Sequence, residues 1–408
     1  MGAVFWDWVN LLLRWSHVML GIAWIGTSFH FIWLDASLRR EADQPEGVAG
    51  GSWMVHGGGF YHARKYLVAP AALPRELHWF KYEAYFTWVS GSLLLAVVYY
   101  LGASEFLIDP AVMALSPAAA IAISLASIAM GWICYDALCR SPIGEKTGLL
   151  ALAVFALAVG AAYGFSQVFS GRAAFLHVGA VLGTIMAANV FFIIIPNQKK
   201  VVADLIAGRT PKPALGKQAK QRSTHNNYLT LPVLFLMLSN HYPLAFSSRW
   251  NFIIIGLVII IGVAIRHFFN TMHAHGKKLW WSWGVAAIAF ILAAWLSTFP
   301  DTRRDVADLG PVPATLAAAM ARPEFGEVRD IVIGRCSLCH SQEPVREGLA
   351  APPKGVRLDT DEEIAAHARD IYLQAAIGRA MPPGNITEIT GEERAKLAQW
   401  AMASGREP

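Results

Sequence analysis

A helix needs about 20 predominantly apolar residues to cross a hydrocarbon layer of roughly 30 Å, where no water is available to bond a stray backbone group. Eight stretches of this chain qualify: 10–34, 84–102, 117–139, 147–166, 174–196, 228–241, 250–269 and 280–298. The sixth is the shortest and holds Pro232, Asn240 and His241. Only 15% of the residues are charged, against about 25% in soluble proteins, and the deficit is confined to the part before residue 299. The sequence after that reads as ordinary soluble protein. The chain therefore divides into a helical membrane bundle over 1–298, a tether over 299–322 and a soluble domain over 323–408. The expected fold is all-α. The N-terminus lacks a basic leader and a small-residue cleavage site, so it reads as a retained membrane helix.

Lys and Arg between the spans orient the bundle, because cytoplasmic connections accumulate them. The odd-numbered connections, with Arg266 near the end of the seventh span counted, carry 18 and the even-numbered ones two, Arg172 and Arg249. The odd connections are thus expected in the cytoplasm and both termini in the periplasm of a bacterial inner membrane. The excess of basic over acidic residues reflects this bias and calls for no nucleic-acid partner.

The soluble part contains Cys336-Ser-Leu-Cys339-His340. In C-x-x-C-H the two thiols attach haem covalently and the histidine ligates its iron. His340 is the expected proximal ligand. Met381, ahead of a Pro-Pro turn, is the candidate for the sixth position, and a methionine there raises the reduction potential. Met402 on the final helix is a poorer rival. That helix, over 391–404, carries a capping box of Thr390 and Glu393. Trp400 is expected near the haem, and Pro352 or Pro353 to offer a carbonyl to the His340 ring. The whole segment resembles a class I cytochrome c. Haem c is assembled on the outer face of the membrane, where the basic-residue count places this domain. Cys134 and Cys139, in an apolar helix, read as buried thiols.

Histidines at membrane depth are costly and mark function more often than other residues there. His17 and His30 share the first span, about 20 Å apart at 1.5 Å per residue. By depth, His17 matches His177 and His30 matches His267. Each pair is a candidate for a b-type haem, against the plainer alternative of hydrogen-bonded bundle histidines or substrate ligands. His241 lies at the outer end of the sixth span. The first large connection gathers His56, Gly57, Gly58, Gly59, His62, Arg64, Lys65, His78 and Glu83, which reads either as a flexible connector or as a substrate site. It has no phosphate-loop Gly-Lys-Ser/Thr and no H-E-x-x-H.

Four strings carry a resemblance across the bundle: Trp15–His30 (WSHVMLGIAWIGTSFH), Leu77–Trp88 (LHWFKYEAYFTW), Gly183–Phe191 (GTIMAANVF) and Asn226–Pro243 (NNYLTLPVLFLMLSNHYP). They resemble the bacterial membrane-anchored urate oxidase (urate hydroxylase) family, in which a multi-span domain precedes a cytochrome c. The resemblance implies oxidation of urate toward 5-hydroxyisourate, with electrons passing to the fused cytochrome and on to a downstream cytochrome or terminal oxidase. It assigns no catalytic residue. His17, His177, His241 and His78 are the candidates from position alone. Cys336, Cys339, His340 and Met381 are expected to hold haem c. The competing function is a membrane cytochrome that oxidises quinol or serves a partner dehydrogenase.

Overall fold

The computed structural model describes residues 2–298 apart from 43, 71, 72, 75, 111 and 247, and residues 319–404 apart from 348, 350, 351, 354 and 355. Most of the expected tether, 299–318, lies outside the described residues. Helix α1 (Gly2–Ser37) leaves Trp8, Leu11, Trp15 and Ile22 exposed along its length. A continuous bare apolar face of this kind suits lipid.

After α1 the chain makes an antiparallel hairpin, β1 (Val48–His56) and β2 (Gly59–Tyr66), with His56 opposite Gly59. This corrects the all-α expectation and the flexible-connector reading of the first large connection. Gly57 and Gly58 have φ of 59° and 77°, the left-handed values that a tight two-residue hairpin turn demands. Three of the residues gathered in this connection, His62, Arg64 and Lys65, fasten the hairpin. Glu41 accepts from His62 at 2.6 Å and from Arg64 at 3.2 Å, and Lys65 pairs with Asp35 at 2.6 Å.

The bundle continues with α2 (Tyr82–Leu94), which runs into a π turn at Leu95–Tyr100, then α3 (Pro117–Arg140) and α4 (Thr147–Ser166). Next come α5 (Gly171–Ala188), with a second π turn at Asn189–Ile194, α6 (Ile195–Ile206), α7 (Pro213–Leu238), the short α8 (Pro243–Phe246), α9 (Asn251–His275) and α10 (Trp280–Thr298). Helix α5 is the axis: Phe175, His177, Val178, Leu182 and Ile185 on it are almost wholly buried, packed against α2, α3, α4 and α7. Ser116 caps α3 and Ser170 caps α5, each accepting from a backbone N–H at 3.3 Å.

Six helices among the described residues are long and apolar enough to cross a membrane: Trp8–Ser37, Pro117–Arg140, Thr147–Ser166, Gly171–Ile206, Asn251–His275 and Trp280–Ser297. The expected spans 84–102 and 228–241 do not qualify by that measure. Helix α2 has 13 residues before its π turn, and the first half of α7 carries Lys217, Lys220 and Arg222.

One end of the bundle gathers the turn Ala103–Leu107, the start of α5 and the α7–α8 junction. Ser170 Oγ donates to the Phe106 carbonyl at 2.8 Å, and Tyr99 Oη donates to Asn240 Oδ1 at 2.9 Å. The opposite end gathers the hairpin and the basic connections, with Gln221 donating to the Gly144 carbonyl at 2.7 Å.

The C-terminal domain has its own core. Helices α11 (Phe325–His340), α12 (Asp361–Ala366), α13 (Ala368–Ile371) and α14 (Gly391–Ser404) enclose Val332, Ile364, Leu397 and Trp400. The expected capping box is present: Glu393 N–H donates to Thr390 Oγ1 at 3.1 Å, and Thr390 N–H donates to the Glu393 carboxylate at 2.7 Å.

Pro232 interrupts α7 where α9 presents Gly262. A Cβ at Gly262 would stand 2.8 Å from Pro232 Cγ. Neither a proline ring nor a helix backbone can step aside. Gly262→Val should therefore cost about 2 kcal/mol of overpacking strain, read as a lowered unfolding midpoint in detergent.

Candidate functional site

Three polar clusters lie in the bundle, and the π turns at Leu95–Tyr100 and Asn189–Ile194 supply part of two of them. Such turns occur often at functional sites. At the hairpin end, Asn189 opens the second π turn with its side chain fully buried. Its amide donates to Tyr135 Oη at 3.1 Å and to Asn226 Oδ1 at 2.9 Å, and its oxygen accepts from Arg222 at 3.3 Å. Arg222 pairs with Asp136 at 2.7 Å, and Asp136 also accepts from Arg140 at 2.6 Å. The charge of Arg222 is thus neutralised where it is buried.

The second cluster centres on Arg266, which bonds Asn227 Oδ1 and Asn270 Oδ1 at 3.2 and 2.9 Å and lies 3.8 Å over the Phe29 ring. Beside these two clusters a cleft of about 1660 Å³ opens between α3, α4, α7, α9 and α10. His225 and His267 line it. The Nδ1 of each contacts a tyrosine hydroxyl, Tyr135 at 2.7 Å and Tyr228 at 3.1 Å respectively.

The third cluster lies at the other end. His177 is fully buried. Its Nδ1–H donates to the Ala173 carbonyl at 2.8 Å, so Nε2 accepts from Ser124 Oγ at 2.6 Å, and Ser124 in turn accepts from Tyr100 at 2.9 Å. Phe169 and Tyr99 pack on the His177 ring at 4.7 and 6.3 Å. Arg172 opens α5 with its guanidinium 5.7 Å from the Phe246 ring, and its Nε is buried without a hydrogen-bond partner. Among the described residues, Arg172 alone of the four arginines in these clusters has such an unsatisfied atom.

The histidines expected to pair find separate partners. His17 Nδ1 lies 3.0 Å from the Thr87 carbonyl and 3.1 Å from Ser90 Oγ on α2. Gly91 leaves room for the ring, since a Cβ there would meet His17 Cε1 at 2.8 Å. Both His177 nitrogens are engaged elsewhere, as above. His30 lies on the exposed side of α1 near Phe31 and Trp33, whereas His267 faces Tyr228 and Trp281. His241 closes an exposed turn after α7, and His78 rests edge-on to Phe80. No group of three or more His, Cys, Asp or Glu side chains able to hold a metal ion occurs among the described residues.

In the C-terminal domain the last turn of α11 presents Cys336, Cys339 and His340 together. His340 Nδ1–H donates to the Val356 carbonyl at 3.0 Å, so Nε2 is the nitrogen left for a ligand. Val356, and neither Pro352 nor Pro353, supplies that carbonyl, because the chain returns to His340 through the Leu358 N–H bond at 2.7 Å. Met381 packs with Cys336 and Tyr372 against the domain core. Its backbone is tied at both sides: its N–H donates to the Gln374 carbonyl at 2.8 Å, and its carbonyl accepts from buried Arg394 at 2.9 Å. Trp400 is buried against Phe325 and donates to the Ala319 carbonyl at 3.1 Å. A thiol pair, a histidine with one free nitrogen and a fixed methionine form a donor set that suits a covalent haem.

Sequence reasoning counted Arg172 only as a topological charge, and it passed over Tyr99, Tyr100, Ser124, His225, Arg222 and Arg394. Their partners are distant in the chain.

The profile of the family described as Urate oxidase N-terminal matches residues 3–297. No curated protein and no solved structure matches the chain.

Removing Arg222 leaves Asp136 with its exposed partner alone, and breaking a buried pair costs about 3 kcal/mol or more. Arg222→Met should lower the thermal midpoint further than Arg140→Met. A second expectation concerns Glu393. Burial raises its carboxyl pKa, but the bonds from Thr390 and from Arg335 at 2.9 Å outweigh burial and hold it below the ordinary range. Its stabilisation is present above the ordinary carboxylate pKa and is lost as pH falls through the lowered one. Glu393→Gln should flatten the acid limb of the domain's stability profile.

Proposed function

The chain belongs to the urate oxidase N-terminal family, and from that premise we propose that its bundle oxidises urate to 5-hydroxyisourate and delivers the electrons to a haem held by Cys336, Cys339, His340 and Met381. The observation that carries the choice of site is the unpartnered Nε of Arg172. Arg172 is half-buried, and a buried guanidinium nitrogen without an acceptor is costly and attracts an anion. Urate at neutral pH is a planar anion. Arg172 offers it charge and a donor, Phe246 an aromatic face, and Asn240, bonded to Tyr99, an amide. The arginines at the hairpin end have less to offer, since Arg222 is paired with a carboxylate and Arg266 with two asparagine oxygens.

Urate plus water gives 5-hydroxyisourate, two electrons and two protons. The Tyr100–Ser124–His177 chain of hydrogen bonds provides acceptors along which a proton can be passed from hydroxyl to ring nitrogen. Arg172 holds the anion against the apolar wall of Phe246 and restricts water beside it. A haem bound at His340 supplies a one-electron acceptor. Arg394 keeps the Met381 backbone in place, and Val356 fixes the His340 tautomer.

The same proposal takes α2 with its π turn and α7 as the second and sixth of eight spans, with both termini in the periplasm. The separation of the basic connections from the end that carries Arg172 supports that orientation.

One anaerobic absorbance trace tests the function. Urate added to purified oxidised protein should reduce the haem; reduction by a quinol and none by urate would favour the membrane cytochrome instead. Arg172→Gln should raise the urate concentration for half-maximal rate about tenfold or more, because a hydrogen bond to a charged group contributes about 1.5–3 kcal/mol. His177→Ala should abolish reduction while leaving covalent haem. Normal reduction in that variant would remove His177 from the mechanism.

A further inference from the structure

The C-terminal domain rests on the bundle at the Arg172 end, and it does so with the two segments that border its haem-binding residues. The first is the loop around Met381. Ala380 is 5% exposed and belongs to the apolar core of the bundle, not to that of its own domain. Gly384, with φ of 56°, lies so close to the turn Ala103–Leu107 that a Cβ would stand 2.7 Å from Glu105 Cα. Backbone meets backbone there, and any side chain would part them. The second segment is Arg346. Its guanidinium is 4.0 Å from Cys339 Sγ, and it forms an ion pair with Glu105. One residue of the bundle, Glu105, is therefore in contact with both borders. Asp109, on the same rim, acts electrostatically on Arg394, the residue that holds the Met381 carbonyl. Two carboxylates of the bundle thus face two arginines of the domain.

Cys339 and Met381, which would hold a haem, lie beside those two borders. Glu105 and its neighbours are then the part of the bundle nearest to them. Beneath the turn, Phe106 packs edge-on to Tyr99 at 6.3 Å, and Tyr99 packs on His177 at the same distance. Aromatic rings in near contact lead from the Arg172 cluster to the rim.

We infer that this contact is the port through which the haem is reduced: the Ala103–Leu107 turn receives the Met381 loop, Glu105 and Arg346 clasp the two domains, and electrons pass from the bundle to the haem across that surface. For its electron donor the port rests on the urate oxidation proposed above. Each urate releases two electrons and two protons on gaining water, and two one-electron transfers cross the port in succession. The haem is reoxidised after each by a one-electron acceptor such as a second cytochrome.

Two measurements on the full-length, haem-loaded protein test it. In the first, R346K supplies an amine for zero-length carbodiimide coupling. Mass spectrometry should find a peptide linking position 346 to Glu105, and its absence would overturn the docking. In the second, stopped-flow absorbance follows haem reduction by urate without oxygen. Glu105→Arg should slow reduction about tenfold without changing haem content or reduction by dithionite, and Glu105→Arg combined with Arg346→Glu should recover most of the rate. Wild-type reduction rates in Glu105→Arg would refute the port, as would no recovery in the exchanged pair when haem content is intact. If urate fails to reduce the wild-type protein at all, the urate function falls, while the cross-link still decides the docking on its own.

Discussion

A charge inside an apolar bundle must be answered by another group of the chain or by a bound ion, since lipid offers neither. Asp136 answers Arg222, and the consequences spread through three helices. Helices α3 and α7 are joined at that pair, and Asn189 is drawn between them to bond Tyr135, Asn226 and Arg222 together. The π turn at Asn189–Ile194 begins at this residue. The other end of α5 presents Arg172 and His177 from within the apolar core of the bundle, beside Ala173, Phe175 and Val178. Paired charges lie at one end of the helix and the unsatisfied cation at the other.

Much of this organisation is legible in the amino-acid order. Apolar run length marks most of the spans, the Lys and Arg bias separates the two ends, and the Cys336–His340 spacing marks the last turn of α11. Local signals also hold: Thr390 and Glu393 cap α14 as their spacing suggests. The failures share one cause. A histidine placed by depth along its own helix says nothing of its rotation about the axis, so His30 and His267 share a depth but face different surroundings. The glycines at 57 and 58 suggest flexibility by composition, whereas in the fold they form a turn. Helices α2 and α7 fall short of the length-and-composition measure because a π turn follows the 13 residues of α2 and the first half of α7 is polar. Arg172 could have been suspected, because Lys and Arg are rare in the even connections. Its missing partner, however, is a fact of three dimensions.

The domain contact shows how little surface can fix an orientation. Gly384 permits the approach, Ala380 fills the apolar gap, and the ion pair of Glu105 with Arg346 sets the direction. None of these residues stands out in sequence. Each is ordinary for its type, and the meaning lies in their convergence on the two sides of the Cys336, Cys339, His340 and Met381 group.

Placing Arg172 and the Met381 loop at the same end has an energetic consequence for the cell. On the proposed function, substrate oxidation and electron acceptance share one side of the membrane, and so do the protons that the reaction releases. The chain itself would then move no charge across the bilayer, and its turnover would neither oppose nor be opposed by the membrane potential. Whatever energy is conserved from the oxidation must be captured by the enzyme that next receives the electron.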